Sequence, residues 1–168
     1  MGNVEIERKF LIKELPENIE EYEHHEIEQG YLCTNPVVRI RKSDDEYYMT
    51  YKGKGLMERA EYNLPLNEEA YYHLREKADG NVIKKTRYVI PLENPSECIE
   101  GCEVPKELEL NIELDVFESP SGLIMAEVEF PSRTLAEHFT MPEWFLKDVT
   151  DDSKYHNSNM IYLTVFEP

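Results

Sequence analysis

Hydrophobic and polar residues alternate with a period of two along most of the chain, which is typical of β-strands that have one buried face. The alternating runs predict eight strands, at residues 3–12, 26–33, 36–42, 46–52, 58–64, 82–91, 107–118 and 122–130. With many short strands and few helices, the pattern indicates a mainly β (α+β) fold. It favours an antiparallel barrel or a strongly curved sheet.

Two segments break the alternation and predict helices. Residues 67–79 start with a potential N-cap, Asn67, and end before Gly80, while residues 132–139 start with Ser132 as a potential N-cap. The other segments are a hairpin turn in "KSDDEY", a polar loop at 93–106 and short helical pieces at 143–163.

The length of 168 residues suits one domain, residues 1–168, with a core of its own. No apolar run is long enough to span a membrane, and the first residues lack a signal-like apolar stretch, so we expect a cytoplasmic protein. An odd number of cysteines, three, favours reduced thiols. Cys98 and Cys102 have the spacing of half a zinc site, but no second Cys/His pair accompanies them, which favours a plain surface loop.

The formal net charge of −17 argues against nonspecific binding to nucleic acid or to an anionic membrane. An acidic protein can still bind an anion if its few cations are gathered in one place. The positions of the 18 Lys and Arg residues therefore decide what the chain can bind.

The first strand, "VEIERKF", places Glu5, Glu7 and Lys9 on one face, opposite a mostly apolar face. Later strands repeat such charged pairs two residues apart. The matching residues are Arg39 and Arg41 on the third strand, Lys52 on the fourth, Arg59 and Glu61 on the fifth, Lys85 and Arg87 on the sixth, Glu113 and Asp115 on the seventh, and Glu127 and Glu129 on the eighth.

The signs of these charges are sorted by strand. Acidic pairs occupy the first, seventh and eighth strands, and basic pairs occupy the third and sixth. A solvated face usually mixes the two signs, because opposite charges on neighbouring strands attract. Sorted signs instead favour ligands of opposite charge: an anion for the basic wall and a divalent cation for the acidic one. That combination describes a metal–phosphate site.

The segment Glu5-Ile-Glu7-Arg-Lys9 resembles the ExExK signature of the triphosphate tunnel metalloenzymes, the CYTH superfamily, and its context resembles their small stand-alone triphosphatases. Further elements follow in the family's order over essentially the whole chain. They are Arg39-x-Arg41, Lys52 with Arg59-x-Glu61, Lys85-x-Arg87, Glu113-x-Asp115 and Glu127-x-Glu129.

This resemblance implies a closed eight-stranded antiparallel tunnel with flanking helices, a triphosphate inside it, and Mg²⁺ or Mn²⁺ as cofactor. The implied metal ligands are Glu5, Glu7, Glu113, Asp115, Glu127 and Glu129. The implied substrate contacts are Lys9, Arg39, Arg41, Lys52, Arg59, Glu61, Lys85, Arg87 and Lys154, and the implied catalytic residues are Glu7, Lys9, Glu127 and Glu129. The segment "DDSKYHNSNM" resembles the one that plugs a tunnel mouth in this family. His156 in this segment and Asp148 just before it would be structural.

The resemblance implies in-line attack of water on inorganic triphosphate, or on longer polyphosphate or another organic triphosphate, with release of orthophosphate. Either a second metal or a carboxylate of the Glu127–Glu129 pair would deprotonate the water, and the sequence leaves both open. The alternatives are a class IV adenylyl cyclase, a thiamine triphosphatase and a non-catalytic polyphosphate-binding module. We expect a monomer or homodimer whose partner is a small-molecule triphosphate, with no nucleic acid and no membrane.

Overall fold

The structure, a computed structural model, describes residues 3–167. Its strands are β1 (Asn3–Ile12), β2 (Glu23–Thr34), β3 (Val37–Ser43), β4 (Glu46–Lys52), β5 (Glu58–Pro65), β6 (Asp79–Pro91), β7 (Asn111–Ser119), β8 (Ile124–Glu129) and β9 (Phe145–Asp148). Its α-helices are α1 (Glu68–Arg75) and α2 (Arg133–Glu137). Within the described range, neither helix is long and apolar enough to cross a membrane.

The strands form one antiparallel sheet in the order β5-β4-β3-β2-β6-β7-β8-β1-β9. The sheet closes on itself because β5 also pairs with β1, with Glu5 opposite Arg59. The prediction of a closed eight-stranded antiparallel barrel is therefore confirmed. Closure leaves the eight strands of the ring without a free end strand and gives each of them one face toward an enclosed interior.

Strand β1 holds the barrel together because it pairs with three other strands. Its first half pairs with β5, its second half pairs with β8 on the other edge, and Phe10–Ile12 pair with β9. The prediction of only helical pieces in the tail was wrong at Phe145–Asp148. This short strand forms there because β5 leaves the end of β1 unpaired, and Phe145 is buried against Phe10 with ring centroids 5.0 Å apart.

Local signals placed the helix starts correctly. Asn67 accepts a hydrogen bond from the Ala70 amide at 2.7 Å, and Ser132 accepts one from the Leu135 amide at 3.3 Å. The first helix is shorter than predicted and ends at Arg75, because the chain has already turned into β6 before Gly80. The "KSDDEY" turn joins β3 to β4 as predicted.

The apolar side chains pack in two places, neither of which is the middle of the barrel. One cluster covers the outer faces of β1, β7 and β8 with α2, and its members include Phe10, Ile112, Leu114, Val128, Phe130, Leu135, Phe139 and Phe145. The second cluster fills one end of the barrel with inward side chains and tail residues, namely Tyr31, Val37, Ile83, Leu123, Phe117, Met125, Val149, Tyr155, Met160, Ile161 and Phe166. The middle of the barrel is left to polar and charged groups.

Arg8 lies on the mostly apolar outer face of β1 and ties three elements together. Its guanidinium donates to the carbonyl oxygens of Ala136 at 2.9 Å and Phe139 at 2.6 Å, and it pairs with the carboxylate of Asp148. It also lies over the Phe10 ring, 5.1 Å from the centroid. One cation thereby fixes α2 and the end of β9 onto β1.

Replacing Arg8 with Met should lower the free energy of unfolding by about 2–4 kcal/mol, because two carbonyls and a carboxylate lose a charged donor. Urea denaturation followed by circular dichroism measures this difference. The control is Arg133→Met, which removes an exposed arginine paired with Glu58 and Glu137 and should cost less than about 1 kcal/mol. Equal losses in the two variants would contradict the anchoring role of Arg8.

Candidate active site

A cavity of about 410 Å³ occupies the middle of the barrel, and charged side chains dominate its lining. The structure brings thirteen of the predicted site residues to this cavity: Glu5, Glu7, Lys9, Arg39, Arg41, Lys52, Arg59, Glu61, Lys85, Arg87, Glu113, Glu127 and Glu129. Most of them are buried even though they carry charge. The alternation of faces along each strand is what points them inward.

The strand order brings strands with the same sign of charge close together, so the barrel has two opposed walls of opposite charge. Strands β7, β8 and β1 are neighbours and form an acidic wall, while β3 and β6 flank β2 and form a basic wall. In the ring of eight strands, β3 and β8 lie on opposite sides. The cavity therefore presents positive charge on one side and negative charge on the other.

The two walls meet at a first seam between β6 and β7. The Lys85 ammonium lies 2.7 Å from Asp115 Oδ2, and the Arg87 guanidinium donates to both oxygens of Asp115, at 2.8 and 2.9 Å. Arg87 also pairs with Glu113. Burial alone would raise the pKa of Asp115, but the charges of Arg87 and Lys85 outweigh it and lower this pKa.

Asp115 does not line the cavity, and the prediction that it binds metal is not supported by its position. Its side chain is fully buried, and both oxygens already accept hydrogen bonds from Lys85 and Arg87. A carboxylate so enclosed positions the two cations instead. Burial still lowers the pKa of Lys85 to about 7, although Asp115 partly offsets it.

A second seam joins the walls where β1 meets β5 and β4. The Lys52 ammonium lies 2.8 Å from Glu5 Oε1 and 3.3 Å from Glu61 Oε2. Burial raises the pKa of Glu5. For Glu61, hydrogen bonding and the charge of Lys52 outweigh burial and lower the pKa to about 2. Arg59 lies opposite Glu5 in the β1–β5 register and also reaches the cavity.

The cations of β3 are not neutralised. Among residues 3–167, no carboxylate lies within salt-bridge distance of Arg39 or Arg41, although both are buried. Arg39 donates to Thr50 Oγ1 at 3.2 Å, and its Nε has no hydrogen-bond partner in the described part of the chain. Burial, followed by repulsion from Arg41, lowers the pKa of Arg39. Buried positive charge with an unused donor favours the binding of an anion.

The acidic wall contains two carboxylates that differ in environment. Glu127 lies 3.9 Å from Lys9 and 3.4 Å from Arg87, and these cations outweigh burial and hold its pKa well below the usual range. Glu129 is paired across β1 and β8 with Glu7. The Glu129 side chain is partly exposed, and its partial desolvation, then repulsion from Glu5, Glu113 and Glu7, raises its pKa to about 7.

The donor set of the acidic wall fits a hard divalent cation. The Lys9 ammonium lies 3.4 Å from Glu7 Oε1, but burial and repulsion from Glu127 outweigh it and raise the pKa of Glu7. Glu7 and Glu129 therefore face each other as carboxylates whose charge is only partly compensated. Within residues 3–167, no three acidic, histidine or cysteine side chains gather closely enough to hold an ion by themselves. Mg²⁺ does not require that, because it binds through one or two carboxylates and completes its shell with water and phosphate oxygens.

The tail contributes residues that the sequence did not single out. Asn157 and Ser158 line the cavity beside Tyr31, and the fully buried Gln29 lies behind them. No local signal marks these neutral groups, since Asn157 reaches the cavity only after the tail has folded back over the barrel end. Lys154 was predicted to contact phosphate, but it is exposed, does not line the cavity, and lies over the rings of Tyr155 and Phe166.

The cavity has a closed end. At this end, the next inward-facing residues on β6, β7 and β8 are apolar. They are Ile83, Phe117 and Met125, which lie two residues from Lys85, Asp115 and Glu127, respectively. These side chains pack against tail residues in the second apolar cluster, so this end of the barrel is filled. A ligand must therefore enter and leave from the other end.

Comparison with known proteins agrees with this geometry. The family model described as the CYTH domain matches residues 3–130. The chain is 35% identical over 157 residues to the inorganic triphosphatase of Nitrosomonas europaea, covering 91% of this chain and 93% of that protein. It is 31% identical over 170 residues to the inorganic triphosphatase of Acetivibrio thermocellus, covering 94% and 92% of the two chains.

The fold is similar to a solved crystal structure of an inorganic triphosphatase. The TM-score is 0.63 at 31% sequence identity, and the match covers 96% of this chain and 97% of the other. The similarity thus extends over the tail, beyond the residues that the family model matches.

Replacing Asp115 with Asn should lower the free energy of unfolding by about 3–5 kcal/mol, because Lys85 and Arg87 would lose their shared buried counter-charge. Urea denaturation measures the loss, and inorganic phosphate should restore more stability to this variant than to the wild type. The control is Glu118→Gln, an exposed position on the same strand, for which we expect a change within about 0.5 kcal/mol. A loss below 1 kcal/mol for Asp115→Asn would contradict the positioning role.

Proposed function

The chain belongs to the CYTH domain family, and we propose that it is a divalent-metal-dependent hydrolase that cleaves inorganic triphosphate and releases orthophosphate. The observation that carries this proposal is the pair of buried arginines on β3. Arg39 and Arg41 have no carboxylate partner in the described part of the chain, and they face an acidic wall across a cavity closed at one end. A polyanion bound together with a divalent cation complements the charge of both walls: the anion contacts the basic wall, and the cation contacts the acidic wall.

Two features support an inorganic chain over a nucleotide. The aromatic residues lining the cavity are already engaged: Tyr31 OH accepts a hydrogen bond from Gln29, and the Tyr48 ring lies 5.9 Å from the Arg41 guanidinium carbon. Both curated relatives are named inorganic triphosphatases. Each arginine–phosphate contact adds about 1.5–3 kcal/mol, so most of the affinity comes from the phosphates themselves.

The basic wall holds the substrate and the leaving group. Arg39 and Arg41 bind phosphate oxygens with donors that no carboxylate of residues 3–167 competes for. Lys85 and Arg87 are held in place by Asp115 and supply further donors along β6. In-line attack of water on a terminal phosphorus transfers negative charge to the leaving diphosphate, and these fixed cations stabilise that charge.

The acidic wall holds the metal, which we propose to be Mg²⁺ or Mn²⁺. Glu7 and Glu129 would bind it, with Glu5, Glu113 and Glu127 around them. When bound, the ion neutralises phosphate charge and lowers the pKa of a coordinated water. Glu127 remains anionic because Lys9 and Arg87 hold it, whereas Glu129 has no cationic side chain within salt-bridge distance among residues 3–167. Glu129 is therefore the carboxylate of this pair with oxygens available to the ion and its water.

Activity should disappear in EDTA and return when Mg²⁺ or Mn²⁺ is added in excess, because the acidic wall offers hard oxygen ligands. Glu129→Gln should lower kcat by about 100-fold or more, since a neutral amide neither attracts the ion nor accepts a proton. Orthophosphate release from inorganic triphosphate measures both effects. Glu118→Gln, exposed on β7, should retain wild-type kcat. Full turnover in EDTA would reject the metal assignment.

Arg39→Ala should raise KM for inorganic triphosphate by about 10–100-fold, because one charge-assisted contact is lost. The matched control is Lys42→Ala on the outward face of β3, where the ammonium donates to Tyr72 OH at 3.2 Å, and KM should stay within about twofold. Wild-type kcat/KM should be higher for inorganic triphosphate than for ATP, thiamine triphosphate or longer polyphosphate. A higher value for ATP would overturn the substrate assignment, and cyclic AMP as its product would indicate a cyclase.

A further inference from the structure

Gln29 is the only glutamine in the chain, and it is fully buried on β2 between the two strands that carry the basic wall. Its amide oxygen accepts a hydrogen bond from Arg41 Nε at 2.8 Å. Its amide nitrogen donates to Tyr31 OH and to Asn157 Oδ1, each at 3.0 Å. The amide orientation is fixed by chemistry, because a guanidinium has only donors and must meet the oxygen.

The same network reaches Lys85 on the other side of β2. Asn157 Oδ1 accepts from Lys85 Nζ at 2.9 Å as well as from Gln29. Two neutral side chains, one on β2 and one on the tail, thus connect a cation of β3 with a cation of β6. Within residues 3–167, Gln29 has its oxygen and both directions of its nitrogen in use.

The neutrality of Gln29 distinguishes the environment of Arg41 from that of three other cations in the cavity. Lys52, Lys85 and Arg87 are each paired with a carboxylate. Arg41 is instead aligned by an amide and, at 3.3 Å, by Tyr48 OH. A carboxylate at position 29 would align the guanidinium equally well, but it would cancel its charge. An amide fixes the orientation of Arg41 and leaves the charge for an anion.

We propose that Gln29 is a positioning residue for the phosphate site: it orients Arg41 through a neutral acceptor, so that the guanidinium keeps its positive charge for the substrate. This inference rests on the proposed function only in naming the anion as triphosphate. Asn157 accepts hydrogen bonds from both Gln29 and Lys85, so it links the tail to this network.

The decisive variant is Gln29→Glu, which keeps the size of the side chain and adds one negative charge. We expect KM for inorganic triphosphate to rise about 10-fold or more, close to the effect of Arg41→Ala, with a smaller change in kcat. The thermal midpoint should fall by no more than a few degrees, because the new ion pair with Arg41 offsets the loss of the hydrogen bonds that the Gln29 amide nitrogen donates to Tyr31 OH and Asn157 Oδ1. If Gln29 served only to stabilise the fold, KM would not rise in a variant whose thermal midpoint is nearly unchanged.

Two further variants complete the test. Gln29→Met removes the acceptor without adding charge and should raise KM about 3–10-fold, less than Gln29→Glu does. In an Arg41→Ala background, Gln29→Met should add little, because its effect acts through Arg41. His24→Glu, an exposed position on the outer face of the same strand, controls for the added negative charge and should leave KM unchanged.

Titration of inorganic triphosphate into each variant in EDTA, followed by calorimetry, measures anion binding without turnover. Weaker binding by folded Gln29→Glu supports the inference even if the wild-type chain releases no orthophosphate, an outcome that would overturn only the proposed function. A folded Gln29→Glu with KM and Kd within twofold of wild type would overturn the inference. Should Gln29→Glu fail to fold, additive effects of Gln29→Met and Arg41→Ala would overturn it instead.

Discussion

The structure depends on enclosing charges of both signs inside one small barrel. Burying a charged side chain costs several kcal/mol unless a partner or a ligand compensates it. The barrel meets this cost at two seams, where Lys85 and Arg87 meet Asp115, and where Lys52 meets Glu5. Closure between β1 and β5 creates the second seam. Charge left over between the seams, positive on β3 and negative on β1 and β8, is what gives the cavity its chemistry.

Most of the fold and of the site could be predicted from the sequence, because both follow from a two-residue period. Face alternation identified the inward residues strand by strand, and the sorted signs indicated opposite ligands before any neighbour relationship was known. The caps at Asn67 and Ser132 and the turn after β3 are equally local signals. Inorganic triphosphate as the substrate class followed from the same residues through the family they resemble.

The features that could not be predicted from the sequence are those created by contacts between residues far apart in the chain. Strand β9 exists because one edge of β1 is free beside it, and Arg8 is engaged because α2 and Asp148 arrive there. Asp115 has the residue type of a metal ligand, but its register opposite Arg87 makes it a support for cations. Lys154 has the charge of a phosphate contact but faces outward in a tail whose path no local pattern predicts.

The position of Asn157 has a consequence for how the protein is made. Arg41 and Lys85 are linked, on the Arg41 side through Gln29, by a residue about 70 positions after Lys85 in the chain, and the pairing of β1 is complete only when β8 and β9 are present. During synthesis on the ribosome, the first strand emerges long before these partners, with its charged face and its apolar face both uncovered. The anion site is therefore assembled last, and a nascent chain released before the tail would carry the whole ExExK signature without a finished pocket.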